Sequence, residues 1–378
     1  TKFLIGFLFV LGTVGANAQI AVTVTGNANT TPNLAATYPS LALALTDLNL
    51  VTAMTGPVIL TCNAGDAETA PPTGLTIGSA SLNAVLSVTN TVTINKSGGT
   101  VTLNAGVGTA TPLSPAPDGI LKITGADYIT IDGLTFTDGN AANPATMEYG
   151  IGLFKLSLSD GAQNNTIQNC TITVNNINFA SGTTPMIEGA VGILMINSVA
   201  TAATTALTPT TAAGTNSNNK FYSNTINGGN YGMGLIGFAG ATPFPTCDTN
   251  NDIGGVSLAT GNTIQNFGGG AGSTNASAGI RTLAQYGINF SFNTVNNTTG
   301  ANTNHPSTFR GIYFNSATSA SATISNNTVT LNSGSTTSQM SMIENVSGST
   351  AAGNTINITN NTLTGGYATA TTGACYGI

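Results

Sequence analysis

The chain has 378 residues, of which only 5% are charged, with seven Lys plus Arg against thirteen Asp plus Glu and a formal net charge of -6. So thin and mildly acidic a set excludes a basic footprint for nucleic acid or an anionic membrane surface, and it is too low for a charge-solvated disordered chain. The four cysteines, Cys62, Cys170, Cys247 and Cys375, stand far apart without metal-ligand spacing, and Cys170, inside a strand phrase, is expected to pack as a small apolar residue.

At the N-terminus Lys2 leads into the apolar run Phe3 to Val14, and Gly15-Ala16-Asn17-Ala18 precedes Gln19. The positive start, short hydrophobic region and Ala16-x-Ala18 grammar predict a secretory signal peptide over residues 1–18, too short to serve as a membrane span. The mature chain is then expected to begin at Gln19, to carry no membrane span, and to work as a secreted or outer-surface protein.

Residues 19–57 read as an N-terminal cap. A short strand, Ile20 to Thr25, is followed by the one convincing helical pattern, Pro39 to Met54, in which Leu41, Leu45, Leu48 and Val51 recur on one face. A single amphipathic helix ahead of a run of strands can cover an open core end and an unpaired strand edge.

Residues 58–378 read as β-structure throughout. From Val58 to Leu134 short strands are separated by turn clusters, Leu82 to Val88 being one of the expected strands. Beyond Met147 two phrases alternate. One reads Asn164-Asn165-Thr166-Ile167, Asn224-Thr225-Ile226, Asn262-Thr263-Ile264, Asn293-Thr294-Val295, Asn327-Thr328-Val329 and Asn361-Thr362-Leu363; Thr294, Thr328 and Thr362 are 34 residues apart both times. The other is a Gly-plus-apolar phrase, as in Tyr149-Gly150-Ile151, Tyr231-Gly232-Met233 and Arg310-Gly311-Ile312, returning at Tyr376-Gly377-Ile378, so the chain is expected to be a fragment that breaks off as another repeat opens. A period of this size in Thr/Val/Ile-rich sequence predicts a solenoid whose repeats bury their apolar faces by stacking. Asn165, Asn224, Asn262, Asn293, Asn327 and Asn361 are then expected to form one stacked ladder at a turn.

The alternation of a Gly-Ile strand with an Asn-Asn-Thr-Ile strand, together with Asp127-Tyr128-Ile129-Thr130-Ile131-Asp132-Gly133-Leu134, resembles the repeats of pectate-lyase-like parallel β-helices. That resemblance implies an all-β fold, a right-handed single-stranded parallel β-helix with the helix as its N-terminal cap. The leader, capping helix and first coils also resemble those of large secreted surface proteins of Gram-negative bacteria that carry a C-terminal sorting domain, which is absent from this sequence.

Four carboxylates are the candidate ligand or cation residues. Glu148 and Glu188 align at a constant offset of 40, with Ile151 against Val191, and would be stacked neighbours if those strands adjoin; the alternative is a pair of solvent-facing edge charges. Asp248 and Asp252 lie in the second of two long segments, Val199 to Asn219 and Ala239 to Gly261, read as insertions at the same corner of successive coils, where they would either wall a groove or be tolerated loop growth. No cofactor is expected, calcium being the one ion such carboxylates would hold. The single histidine, His305, and the basic residues Lys155, Lys220, Arg281 and Arg310 match no catalytic motif of the resembled family, and Arg281 and Arg310 are expected to face differently because one follows its Ile and the other precedes its Gly.

The leading functional reading is therefore a non-catalytic adhesin, stalk or carbohydrate-binding scaffold whose partner is an extracellular polysaccharide or cell-surface ligand. One alternative is a polysaccharide lyase or glycoside hydrolase acting on an acidic polysaccharide. The other is an ice-binding β-helix, suggested by Thr-x-Thr pairs such as Thr135/Thr137, Thr171/Thr173, Thr328/Thr330 and Thr362/Thr364.

Overall fold

The computed structural model describes residues 19–109, 116–139, 147–178, 188–241, 244–269, 274–300, 304–315, 320–348 and 354–378. The leader expected over residues 1–18 lies outside them. From Val58 onward one cycle of three short strands repeats. Val58–Cys62 enters a first face, Ala67–Thr69 a second and Leu75–Ile77 a third, and Val92–Lys96, Thr102–Asn104 and Gly119–Thr124 land beside them in the same order. The cycle runs on to Ile356–Thr359, Thr362–Tyr367 and Cys375–Tyr376, every pairing between successive turns being parallel. Parallel strands joined by crossovers run right-handed. The protein is a right-handed single-stranded parallel β-helix, with one eleven-stranded and two nine-stranded sheets around a continuous apolar core.

Each turn has three strands where the repeating phrases show two. First-face strands such as Lys220–Tyr222 and Asp252–Ile253 are short and lack the Asn-Thr-Ile phrase that Thr166–Gln168 carries, so their identity comes from the register they join.

The N-terminal end is closed as expected, with different boundaries. Val22–Thr25 pairs antiparallel with Val58–Cys62 and on its other side with Thr37–Tyr38, the edge strand of the first sheet. The helix, α1, spans Leu41–Leu48 and buries Leu41, Ala44, Leu45 and Leu48. It does not reach Met54. Asn49 stops it by donating to the Thr76 carbonyl at 2.9 Å and accepting from the Gly78 amide at 2.8 Å, and Ala53–Met54 pairs antiparallel with Thr30–Thr31. Ser40 caps its first turn, and the buried Glu68 carboxylate accepts from the amides of Leu41 at 2.8 Å, Ala42 at 3.0 Å and Ile20 at 3.2 Å. An acceptor-only side chain thus meets orphan donors at the positive end of the helix. The strand expected from Leu82 to Val88 is instead a one-turn helix, Ala80–Asn83, capped by Ser79, followed by turns.

The asparagines form two ladders where one is expected. Asn224, Asn262, Asn293, Asn327 and Asn361 lie at the corner before the second face; each carboxamide oxygen from Asn262 on accepts from the backbone N–H of the asparagine in the turn before, at 2.9–3.2 Å. Asn165 belongs to the corner before the first face, where its amide donates to Asn219, whose amide donates to Asn251. Both corners need a tight turn, and both place a left-handed residue just before the ladder asparagine: Asn164 at φ 56°, Asn326 at 57° and Asn360 at 55°. One local solution serves two places, which is why the phrases look alike. In the second ladder the place preceding Asn224 is held by Cys170, whose amide donates to Asn224 at 3.1 Å; the thiol is buried, as expected of a small apolar residue, and burial pushes it up to about 12. The cysteines form no disulfide among themselves.

The glycines of the other phrase also form a row. A Cβ on Gly192 would meet Ile226 at 2.4 Å and the Gly232 carbonyl at 2.7 Å, and one on Gly232 would meet Ile264 at 2.3 Å and the Gly279 carbonyl at 2.7 Å. This is close backbone approach, which only glycine permits. The third-face register skips this glycine in every turn, pairing Tyr149 with Val191 and Ile151 with Ile193 but not the residues between.

Asn262→Ala should lower unfolding free energy by about 2–4 kcal/mol, because it leaves the Asn224 amide and the Phe221 carbonyl, now bonded at 3.0 and 2.7 Å, buried without partners. Denaturant unfolding measures this; a change within about 0.5 kcal/mol would show that the ladder contributes shape rather than stability.

Candidate functional site

The outer side of the third face carries the densest set of planar and charged side chains. Ile151, Ile193, Met233, Ile280, Ile312 and Ile343 occupy one inward column of this face, so the residues that follow them point outward: Gly152, Leu194, Gly234, Arg281, Tyr313 and Glu344, in register from turn to turn. A second outward column runs Tyr149, Val191, Tyr231, Ala278, Arg310 and Ser341. Because the intervening glycine drops out of the pairing, alternation breaks and residues on both sides of each Gly-Ile pair face outward. That is the reason Arg281 and Arg310 share a face, against the expectation from strict alternation.

The two halves of this face differ. Towards the N-terminus Tyr149, Phe154, Val191, Leu194, Ile196, Tyr231 and Ile236 form a second apolar cluster outside the helix core. Towards the C-terminus stand two ion pairs with tyrosine rings. Arg281 Nη1 donates to Glu188 Oε2 and, at 3.0 Å, to the Tyr231 hydroxyl, which donates to the same carboxylate at 2.9 Å; the guanidinium sits 5.3 Å from the Tyr231 ring centroid. One turn on, Arg310 holds Glu344 through Nε at 2.8 Å and Nη2 at 3.2 Å and lies 4.2 Å over the Tyr313 ring. Both arginine side chains remain 18% exposed, with Glu188 at 30% and Glu344 at 16%. Burial pushes the Tyr231 hydroxyl well above the usual phenol range; burial lowers the Arg281 guanidinium, but Tyr231 and Glu188 together outweigh it and leave the group raised.

The four candidate carboxylates do not converge. Ile151 pairs with Ile193, not with Val191, so Glu148 and Glu188 are two residues out of register and do not stack. A constant spacing between phrases misses this because the intervening loop shifts the frame. Glu148 is buried and accepts the Asp118 amide at 2.7 Å; burial, with the nearby Asp118 charge adding, pushes its carboxyl up to about 8. Glu188 is the one of the four on the outer third face, paired with Arg281 rather than with an acid. Asp252 lies on the first face, accepting from the Tyr222 hydroxyl at 2.6 Å, Asn289 at 2.7 Å and the Gly255 amide at 3.0 Å. Asp248 is wholly buried beside Lys155, at 3.7 Å.

The second long segment, Ala239 to Gly261, is also not a single insertion. Asp248–Thr249 pairs with Gln285–Tyr286, and Asp252–Ile253 is a regular first-face strand, so the extra chain falls at two corners. His305 is buried with Nδ1 accepting from the Gly269 amide at 3.1 Å and Nε2 donating to the Asn275 carbonyl at 3.0 Å; burial lowers it to about 4, and it is a neutral clasp between loops. No group of three or more His, Cys, Asp or Glu close enough to hold a metal ion occurs among the described residues, and none of their helices is long and apolar enough to cross a membrane.

No protein-family model matches the chain, and no curated protein sequence matches it. Among solved structures it is similar to an alginate lyase from Paenibacillus sp. str. FPU-7, at 14% identity over 84% of this chain and 97% of that one, with a TM-score of 0.33. It is also similar to the A-module of the Azotobacter vinelandii mannuronan C-5 epimerase AlgE6, at 14% identity over 83% of this chain and 90% of that one, with a TM-score of 0.23.

The Glu148 carboxyl yields a pH dependence. Its folded value of about 8 lies above the ordinary 4.5, so the unfolded chain releases this proton first and stability falls as pH rises from about 4.5 through about 8. Glu148→Gln should remove that slope, matching wild type at pH ~5 and exceeding it at pH ~9 by a few kcal/mol, on the order of 2–4. Unfolding midpoints across this pH range check it; parallel curves for the two proteins would refute the assignment.

Proposed function

We propose that this is a non-catalytic extracellular β-helix that binds an extended polysaccharide along the outer third face. The observation that carries the reading is the pair of Arg–Glu bridges on consecutive turns, each beside a tyrosine ring, with Arg281 over Tyr231 and Arg310 over Tyr313. Fixed, partly exposed guanidinium and carboxylate groups supply donors and acceptors in one plane, suited to neighbouring sugar hydroxyls or a uronate carboxylate. A ring such as Tyr313 offers an apolar face for a sugar to lie on. The turns repeat at about 4.8 Å, so the sites line up along the axis for a chain rather than a single small molecule.

Binding without bond cleavage is supported by the state of the polar groups. A general base near neutrality must be free and poised close to the working pH. Glu188 and Glu344 are engaged by arginines, the Tyr231 hydroxyl is pushed away from deprotonation, and His305 is bonded to backbone on both nitrogens. A polysaccharide lyase or hydrolase is the alternative reading through the Tyr231–Arg281–Glu188 contact, in which burial holds the Tyr231 hydroxyl away from the ionised form a base would need.

One further observation favours an ice-binding reading. Thr102, Thr135, Thr171, Thr225, Thr263, Thr294, Thr328 and Thr362 form an unbroken column on the second face, although their spacing in sequence is irregular. The companion column two residues on is interrupted by Asn104, Asn227, Gln265 and Asn296, so the face lacks a second uniform threonine row. That interruption places this reading behind the saccharide one.

Affinity electrophoresis through gels containing a panel of neutral and uronic-acid polysaccharides, with and without calcium, tests the proposal. At least one should retard the protein, and Arg310→Ala or Tyr313→Ala should weaken that retardation about tenfold or more, about 1.4 kcal/mol. Unsaturated products or new reducing ends would overturn the non-catalytic reading. Retardation by none of the panel, together with thermal hysteresis in freezing assays, would replace it with ice binding.

A further inference from the structure

Lys155 and Asp248 are the least expected pair in the protein. Both side chains are 0% exposed, and Nζ lies 3.7 Å from Oδ1. Lys155 ends the third-face strand Tyr149–Lys155, where the register with the next turn shifts between Leu153 and Lys155; Asp248 comes from the chain leading into the first face three strands of that sheet later in the winding. The surroundings are polar and hydrogen-bonded around the carboxylate. Asp248 Oδ1 accepts the Asn216 amide at 2.8 Å, and Oδ2 accepts from Gln285 Nε2 at 3.4 Å. Asn216 is held by the Ala162 amide and the Ile196 carbonyl, each at 3.0 Å, and Gln285 by Asn251 at 2.8 Å. Lys155 Nζ also donates to the Gly214 carbonyl.

As an ion pair this arrangement is incomplete. An ammonium has three N–H donors, and among the described residues Lys155 has two acceptors, Gly214 O and Asp248 Oδ1. Burying an ammonium and a carboxylate is costly unless every donor and acceptor is met. An amide between the same atoms would be neutral and would match what is there. Its single N–H would keep Gly214 O, and with Oδ1 retained as its carbonyl oxygen it would keep the Asn216 donor, the longer contact from Gln285 to Oδ2 being given up with the departing oxygen. Burial also lowers Lys155 towards its neutral amine and raises Asp248 towards its neutral acid.

We propose that Lys155 and Asp248 join in an intramolecular isopeptide bond after folding. The neutral Nζ attacks Asp248 Cγ of the protonated carboxyl, and a C–N bond forms. The Asn216 amide, on Oδ1, is the donor placed to steady the carbonyl oxygen as charge develops on it, and Gln285 Nε2, on Oδ2, donates to the oxygen that departs. The Cγ–OH bond breaks, the leaving hydroxyl takes a proton from Nζ, and one water is released. No oxidant, metal or second substrate enters the balance. The link would staple a third-face strand to the insertion that carries Asp248, adding a covalent tie between turns otherwise held by strand pairing and stacking.

The test is mass spectrometry of the folded, purified full chain under denaturing conditions, compared with the mass calculated from its own measured N-terminus. The expected result is a loss of one water, with digestion yielding a branched peptide that joins Lys155 to Asp248. Asp248→Ala and Lys155→Met should each restore the unmodified mass. Linear peptides carrying a free Lys155 amine and a free Asp248 carboxyl, after prolonged incubation of the wild type, would overturn the proposal, as would a water loss mapped elsewhere. Since the wild-type chain alone decides the matter, failure of either variant to fold leaves the test intact.

Discussion

Everything in this protein depends on one constraint: each turn must lie in parallel register on the turn before it, because no single turn can bury its own apolar side chains. Hydrogen bonds between strands hold the faces, but corners have no strand partner and expose backbone donors to a buried environment. The asparagine ladders meet that need. A carboxamide accepts from the previous turn and donates to a carbonyl, so the corner is satisfied by the same residue type in turn after turn. The glycine row does the converse task, letting one backbone close on the next where any side chain would collide.

This economy of structure explains how few charges the chain needs and where they are spent. Glu68 meets the N-terminal amides of α1, and Glu148 accepts an amide from the neighbouring turn. The third use is Lys155 with Asp248, sealed between a third-face strand and an insertion. In each case a scarce ionisable side chain sits where the regular winding is interrupted, at the cap or at a loop entry. The ion pairs Arg281–Glu188 and Arg310–Glu344 differ in remaining partly open to solvent, and the proposed saccharide binding rests on that difference.

The outward third face shows how a small backbone irregularity creates a site. Were the strands to alternate strictly, Arg281 and Arg310 would point to opposite sides of the sheet. The skipped glycine turns both outward on adjacent turns, and it brings Tyr231 and Tyr313 with them. Glu188, distant in sequence from Arg281, arrives from another turn. No linear spacing encodes that meeting.

By itself the sequence determined the winding: a recurring Asn-Thr-β-branched phrase and a Gly-apolar phrase are sufficient to specify stacked parallel turns, since each phrase solves a local corner or close-packing problem that must recur at every level. It also determined the end cap, through the lone amphipathic pattern around Leu41, Leu45 and Leu48. Only the tertiary structure decided which turns are neighbours in register. That placed Asn165 in a different ladder from Asn224, separated Glu148 from Glu188, buried Asp248 against Lys155 and aligned threonines whose sequence spacing is uneven. The physical reason is that loops of variable length lie between strands of fixed rise, so position along the chain stops measuring position along the helix, while hydrogen-bond register continues to do so.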